Sequence, residues 1–192
     1  MGARSVSIRL RGTNVTLRPF RDGDFEALWA EETVDRGDFQ APVPADDSSR
    51  ERLRRRVEAS GAWTRTELML AIESGGVLAG DVQARRDDDA MPPGLFEVGI
   101  GVFRGCRGHG LGTEALSLLT EYLFMDELAH RVQLSTDVDN LAMRRSAEKA
   151  GYSFEGVLRS YWPMPNGPAR DYAMYARTRD DHERSDRWIR AS

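Results

Sequence analysis

Residues Arg104–Asp126 read RGCRGHGLGTEALSLLTEYLFMD, and they join an apolar run ending at Phe103 to an amphipathic segment. Within them, Arg107-Gly108-His109-Gly110-Leu111-Gly112 sets three glycines at alternate positions, which leaves backbone N–H groups unshielded by side chains. A helix beginning near Thr113 adds unpaired N-terminal N–H groups and the positive end of its dipole. Together they make a concave anion site suited to a phosphate or pyrophosphate. Leu111, Ala115, Leu118, Leu119 and Tyr122 recur at helical spacing, so one helix face is expected to pack on a sheet. A glycine-rich connection that binds nothing is the competing reading.

The kind of phosphate ligand is narrowed by what the loop contains. No Gly-Lys-Ser/Thr follows it, so the Walker pattern is absent. Gly110-x-Gly112-x-x-Ala115 fits the dinucleotide pattern G-x-G-x-x-G/A, and Asp137 lies about 25 residues beyond Gly112, near the expected acid spacing. That motif, however, follows several hairpin-like strands in mid-chain and does not open a repeated βαβ array. Arg107 has no place in it either. Arg107–Gly112 instead resembles the R/Q-x-x-G-x-G/A signature of the GCN5-related N-acetyltransferases (GNAT superfamily), whose loop binds the pyrophosphate of acyl-coenzyme A.

Composition agrees with a folded single domain. The chain has 192 residues, 40% hydrophobic and 30% charged, which argues against disorder. The net charge of −4 does not favour a nucleic-acid partner. Arginine dominates the cations, and Lys149 is the single lysine. Cys106 is the single cysteine, so no internal disulfide forms, in keeping with a reducing compartment. It lies in the loop, where a helix N-terminus can activate a thiol. No His–acid partners adjoin it in sequence, which favours a small residue filling a turn. The first ten residues lack a hydrophobic signal core, position 6 is Val where myristoylation needs Ser or Thr, and no apolar run approaches a membrane span. The expectation is a cytoplasmic protein with no membrane partner.

Along the chain, residues 1–12 are expected to be a mobile arm, 13–181 one domain and 182–192 a charged tail. Thr13–Arg18 reads as a strand, and Asp22–Asp24 as the cap of a short helix through Phe25, Leu28 and Trp29. Glu31–Ala45 reads as a loop or broken helix. Asp46–Ser49 caps a second helix over Ser49–Ser60, whose Arg50, Arg52, Arg54, Arg55 and Arg56 are expected to form a solvated face rather than a phosphate site. Glu67–Glu73 and Val77–Ala84 flank a Gly75-Gly76 hairpin turn, and Leu95–Phe103 is the central strand. Arg131–Thr136 follows the loop helix, so a right-handed parallel unit is expected. Asp139 or Asn140 caps a helix through Ala150, and Gly151 stops it. Phe154–Ser160 and Asp171–Arg177 complete the sheet as strands, the last one antiparallel.

The resemblance to the GNAT superfamily covers roughly Thr13–Asp181 and is densest over Phe96–Gly156. Asp139-Asn140-Leu141-Ala142 with Ala147-Glu148-Lys149-Ala150-Gly151-Tyr152 is similar to the family's D-x-N-x-x-A…E-K-x-G-F segment. Leu17–Asp24, Phe154–Arg159 and Asp171–Ala176 resemble the ribosomal-protein N-terminal acetyltransferase (RimJ/RimL-like) branch. The resemblance implies an α/β fold: a mixed, mainly antiparallel sheet with a central splayed parallel strand pair and flanking helices. It implies that the backbone of Gly101, Val102 and Phe103 binds the pantetheine arm. Arg107, Gly108, His109, Gly110, Leu111, Gly112 and Thr113 would hold the phosphates, Asn140 would contact the cofactor arm, and Arg144 would lie near the phosphates. Acetyl-CoA or another acyl-CoA is the implied co-substrate, with no metal, and a homodimer is a plausible assembly in this family.

The implied reaction is attack of a primary amine, from a protein N-terminus or a small molecule, on a thioester without a covalent enzyme intermediate. Glu97 is the candidate base, and a Val102 N–H the candidate oxyanion donor. A structural acid on the sheet is the competing reading of Glu97. His109, His130, His182 and Cys106 show no metal spacing. Two positions depart from the family pattern. Ala147 stands where relatives carry a catalytic Tyr, and Met143 where the ribosomal branch carries Ser, which leaves Tyr152, Tyr161 and Tyr172 as loose candidates for the acid. Gly101 replaces an aromatic residue, from which a wider acyl pocket, taking succinyl or longer groups, is expected. Glu31, Glu32, Asp35 and Asp38 are available to attract a cationic acceptor. A non-catalytic acyl-CoA-binding protein and an NAD(P)-binding oxidoreductase are the alternatives.

Overall fold

The computed structural model describes residues 7–34, 39, 44–87, 89–164 and 167–184. Eight strands are formed: β1 (Leu10–Arg11), β2 (Thr16–Arg18), β3 (Glu67–Ser74), β4 (Val77–Arg85), β5 (Leu95–Val102), β6 (Arg131–Asp137), β7 (Ser153–Trp162) and β8 (Arg170–Thr178). They form one sheet in the order β1-β2-β3-β4-β5-β6-β8-β7. The β5–β6 pair is parallel, and the registers of β1–β2, β2–β3, β3–β4, β6–β8 and β7–β8 are antiparallel. The helices are α1 (Asp24–Thr33), α2 (Asp47–Glu58), α3 (Leu111–Met125) and α4 (Leu141–Lys149). This is the mixed α/β architecture read from the sequence. No helix among the described residues is long and apolar enough to cross a membrane.

The chain divides into two compact units, Met1–Arg85 with Gly99–Leu119, and Arg86–Val98 with Thr120–Ser192. In the first, β3 is buried along Leu68–Ile72, and Gly75 and Gly76 turn the chain with φ of +58° and +82°. Those angles suit the primed turns that match strand twist. Phe25, Leu28, Leu53 and Met69 form a core cluster, with Phe20, Trp29, Val57 and Phe103 packed against it. Asp46 caps α2 by accepting from the Ser49 N–H at 2.7 Å, as its spacing predicts. At α1 the outcome differs. The cap position falls on Gly23 with no side-chain bond, because Asp24 is drawn into the guanidinium of Arg18 instead. Arg18 is 1% exposed and is held by Asp24 and Glu73, each at 2.6 Å. The arginines of α2 are also more engaged than a solvated face requires. Arg54 lies 4.4 Å above the Phe25 ring, and Arg56 bonds Glu67 and Gln83.

In the second unit, β8 lies between β6 and β7. Gly151, at φ +83°, ends α4 in the left-handed conformation expected of it. Buried Tyr152 then shares a 2.6 Å hydrogen bond with Thr120. Both expected chain ends are partly structured. Leu10 and Arg11 of the expected arm pair with β2, and His182, at the start of the expected tail, is buried and stacked on Phe124 at 4.8 Å.

Candidate active site

The glycine-rich signature begins where β5 ends. Arg104–Cys106 form a single 3-10 turn, closed by the Cys106 N–H donating to the Phe103 carbonyl at 2.8 Å. Gly108 and Gly110 then take φ of +82° and +79°, a region that costs an L side chain about 1 kcal/mol. A Cβ on Gly105, Gly108 or Gly110 would meet no atom within 4 Å, so this backbone is open to a ligand. Gly112 has another reason to be glycine: its Cβ would stand 3.3 Å from Val102 Cγ2, where α3 approaches β5.

The helix starts at Leu111, two residues earlier than the sequence suggests, because positive-φ Gly110 turns the chain directly into it. Its first intrahelical bond runs from the Glu114 N–H to the Gly110 carbonyl at 3.1 Å. The N–H groups of Leu111, Gly112 and Thr113 therefore precede the intrahelical ladder. Leu111 is buried and anchors the turn, while Arg107, Gly108, His109 and Gly110 are exposed. Arg107 donates through Nε to the Val102 carbonyl at 2.9 Å, tying its guanidinium to the strand end. Residues 107–113 are thus brought into one open cradle, and it fits an anionic diphosphate. A cavity of about 420 Å3 adjoins the turn, lined in part by Asn14, Ala79, Gly105, Cys106 and His109.

Glu114, in the first turn of α3, escaped the sequence reading. Its carboxylate accepts from the Asn14 and Val15 N–H groups and from Asn14 Nδ2. Burial pushes its pKa up, and these donors more than offset that, leaving it below the usual value. No local pattern signals a contact between residues 100 positions apart.

On β5, backbone directions sort the expected donors. The Phe103 N–H pairs with the Ala79 carbonyl at 2.9 Å and its carbonyl takes the Cys106 N–H, so both groups of Phe103 are engaged. Strand alternation turns the N–H groups of Ile100 and Val102 to the other edge. The parallel ladder with β6 ends at Glu97–Gln133, before those two residues. Val102 thus keeps a donor direction free of β4. Ile100, which sequence reasoning did not single out, shares it; the alternation of β5 was the signal for this. Glu97 is half-buried, and its carboxylate has no hydrogen-bond or ion-pair partner among the described residues.

Asn140 caps α4 by accepting from the Met143 N–H at 3.1 Å. Arg144 donates to the Tyr175 hydroxyl at 3.1 Å and to the Val138 carbonyl at 2.9 Å. The Tyr175 bond is the main cause of its raised pKa. These contacts give Arg144 a structural role in its own unit. Among the loose acid candidates, Tyr152 is buried with its pKa pushed up by burial, and Tyr172 is raised by burial and then by the charge of Asp137. Tyr161 is exposed. Ala147 is fully buried, as suits a packing position. Asp137, the acid a dinucleotide reading requires, is 3% exposed and bound to Arg170 at 3.0 Å. Among the described residues no group of three or more His, Cys, Asp and Glu could hold a metal ion.

Beside Gly101, a Cβ would stand 3.0 Å from Asp81 Oδ1. The glycine makes room for that carboxylate. Of the acids expected to attract an acceptor, Glu31 accepts from the Arg104 N–H at 3.0 Å, and Asp35 and Asp38 lie outside the described residues.

A mixed sheet with one parallel pair, and a glycine-rich turn feeding a helix N-terminus from the end of the parallel strand, defines a GNAT-type fold. Residues 14–153 match the acetyltransferase (GNAT) domain family, and the chain belongs to that family. It is 34% identical over 86 residues to YjcK of Bacillus subtilis strain 168, named a probable N-acetyltransferase. That match covers 44% of this chain and 47% of YjcK, so it spans about half the length of that relative. A T. thermophilus structure described as an acetyltransferase shares 26% identity with a TM-score of 0.73, covering 95% of each chain. Mycobacterium smegmatis RimJ, solved in complex with CoA-disulfide, is 22% identical with a TM-score of 0.71, over 91% of this chain and 88% of that one. The RimJ likeness is one of fold.

Proposed function

We propose that this chain is an acyl-CoA-dependent N-acyltransferase, with acetyl-CoA the default donor and a primary amine the acceptor. The open turn at Gly105, Gly108 and Gly110, running straight into the N-terminus of α3, is the observation that carries the reading. It offers backbone N–H groups and Arg107 to a diphosphate. The Val102 N–H, directed away from β4, would hold the thioester oxygen as negative charge develops there. Glu97 would take the proton of the attacking amine, directly or through water, since no partner among the described residues competes for its carboxylate. Asn140 would combine its cap with a contact to the cofactor arm. Peptide N-termini, amino acids and aminoglycosides are the acceptor classes to be compared.

The test is release of free CoA thiol from acetyl-CoA in the presence of that amine panel. Turnover with at least one amine class is expected. Glu97→Gln should lower kcat about 100-fold or more while acetyl-CoA affinity stays unchanged. An unaltered kcat would remove Glu97 as the base, and absence of acetyl-CoA binding would remove the reading altogether.

A further inference from the structure

The face of β5 that carries Glu97 continues through Gly99 and Gly101, so beyond Glu97 it presents no side chains of its own. Strand β4 supplies them instead. A Cβ on Gly99 would stand 2.8 Å from Gln83 Nε2, and one on Gly101 would stand 3.0 Å from Asp81 Oδ1. The two glycines therefore let an amide and a carboxylate lie over the strand. A bulge sets this up. The β3–β4 register shifts between Ile72 and Glu73, so Ile72 pairs with Gly80 and Glu73 with Leu78. Ala79 is left to pair its carbonyl with the Phe103 N–H. Gly80 comes so near that its Cβ would be 2.0 Å from the Gly101 carbonyl oxygen. Bulges of this kind re-aim the adjoining side chain, and here the adjoining side chain is Asp81.

We infer that Asp81 receives the ammonium group of the acceptor amine beside Gly101; this rests on the donor-site reading above. Asp81 is 8% exposed, so water screens its charge poorly. The guanidinium of Arg56 directs hydrogen bonds to Glu67 and Gln83 and also feels the charge of Asp81. Glu67, Asp81 and Glu32 all act on that guanidinium, and Arg85 adds a second one 3.8 Å from Glu67; these three carboxylates outnumber the two guanidiniums and complement a cation. Asp81 would thus bind the amine in its protonated form and hold it at the strand segment whose backbone carries the thioester.

The probes are two CoA thioethers, S-(2-aminoethyl)-CoA and its neutral counterpart S-(2-hydroxyethyl)-CoA, titrated calorimetrically with free CoA as reference. The first puts an ammonium close to where an attacking amine would sit. Wild type is expected to bind the ammonium compound about tenfold tighter than the hydroxyl compound, the scale of one charge-assisted hydrogen bond. Asp81→Asn should bring the two within about twofold while binding free CoA as wild type does, which also reports an intact fold. Gly101→Ala, whose methyl stands against Asp81 Oδ1, should shrink the preference too and carries the test if Asp81→Asn does not fold. Equal affinities in wild type, or a preference retained in Asp81→Asn, would overturn the inference and leave the donor site standing. Failure of wild type to bind free CoA would overturn both.

Discussion

At Gly80 the identity of a single residue fixes how closely two strands approach. Its φ of +152° and the 2.0 Å separation between a Cβ there and the Gly101 oxygen leave no room for alanine. Gly80→Ala should cost about 3 kcal/mol, read as a lower urea midpoint at unchanged m-value. Gly108→Ala, where nothing lies within 4 Å, should cost about 1 kcal/mol through its positive φ alone. Arg107→Ala releases the Val102 carbonyl and removes a cation from the cradle, and should weaken acetyl-CoA binding about tenfold or more in calorimetry. The cradle was legible because its glycines lie at alternate positions of one short stretch and their spacing is itself the signal. Asp81 was not, because it reaches Gly101 from another strand through a bulge that no local pattern announces. The pairing of Glu114 with Asn14 was hidden in the same way.

Among the elements, the joint between β2, α1 and β3 rests on Arg18. Burial by itself would raise the Asp24 carboxyl, and the bonds and charges of Arg18 and Arg21 hold it below its usual value. The Arg18 hydrogen bond does the same for Glu73. Both carboxyls bind protons less readily folded than unfolded, so their contribution is present above the ordinary carboxylate pKa near 4. It is lost as pH falls through the lowered folded values. Arg18→Met should cost about 3 kcal/mol at neutral pH and flatten the acid limb of the stability curve below about pH 4. An acid limb identical to that of wild type would show that the triad does not contribute. Strands and helices were readable because each carries its own period and its own stops, such as Gly75-Gly76 and Gly151. The α1 cap was misread because a buried arginine, invisible in the local pattern, draws Asp24 away from the helix terminus.

For the whole molecule, folding and ligand binding are linked. A ligand that binds only the folded chain stabilises it by about 2.7 kcal/mol at 100 times its Kd, so acetyl-CoA should raise Tm in a concentration-dependent way. The parallel pairing of β5 with β6 followed from the strand–helix–strand unit around the signature, because parallel neighbours need a long crossover connection, usually a helix. The extent of β1 and the buried start of the C-terminal segment did not follow, since both are set by what they pack on. The most direct measurement is a calorimetric titration of the pure protein with acetyl-CoA, free CoA and NADH. Saturable one-to-one binding of acetyl-CoA and CoA is predicted, and none of NADH. Binding of NADH without CoA, or of neither, would contradict the donor site at Arg107–Thr113.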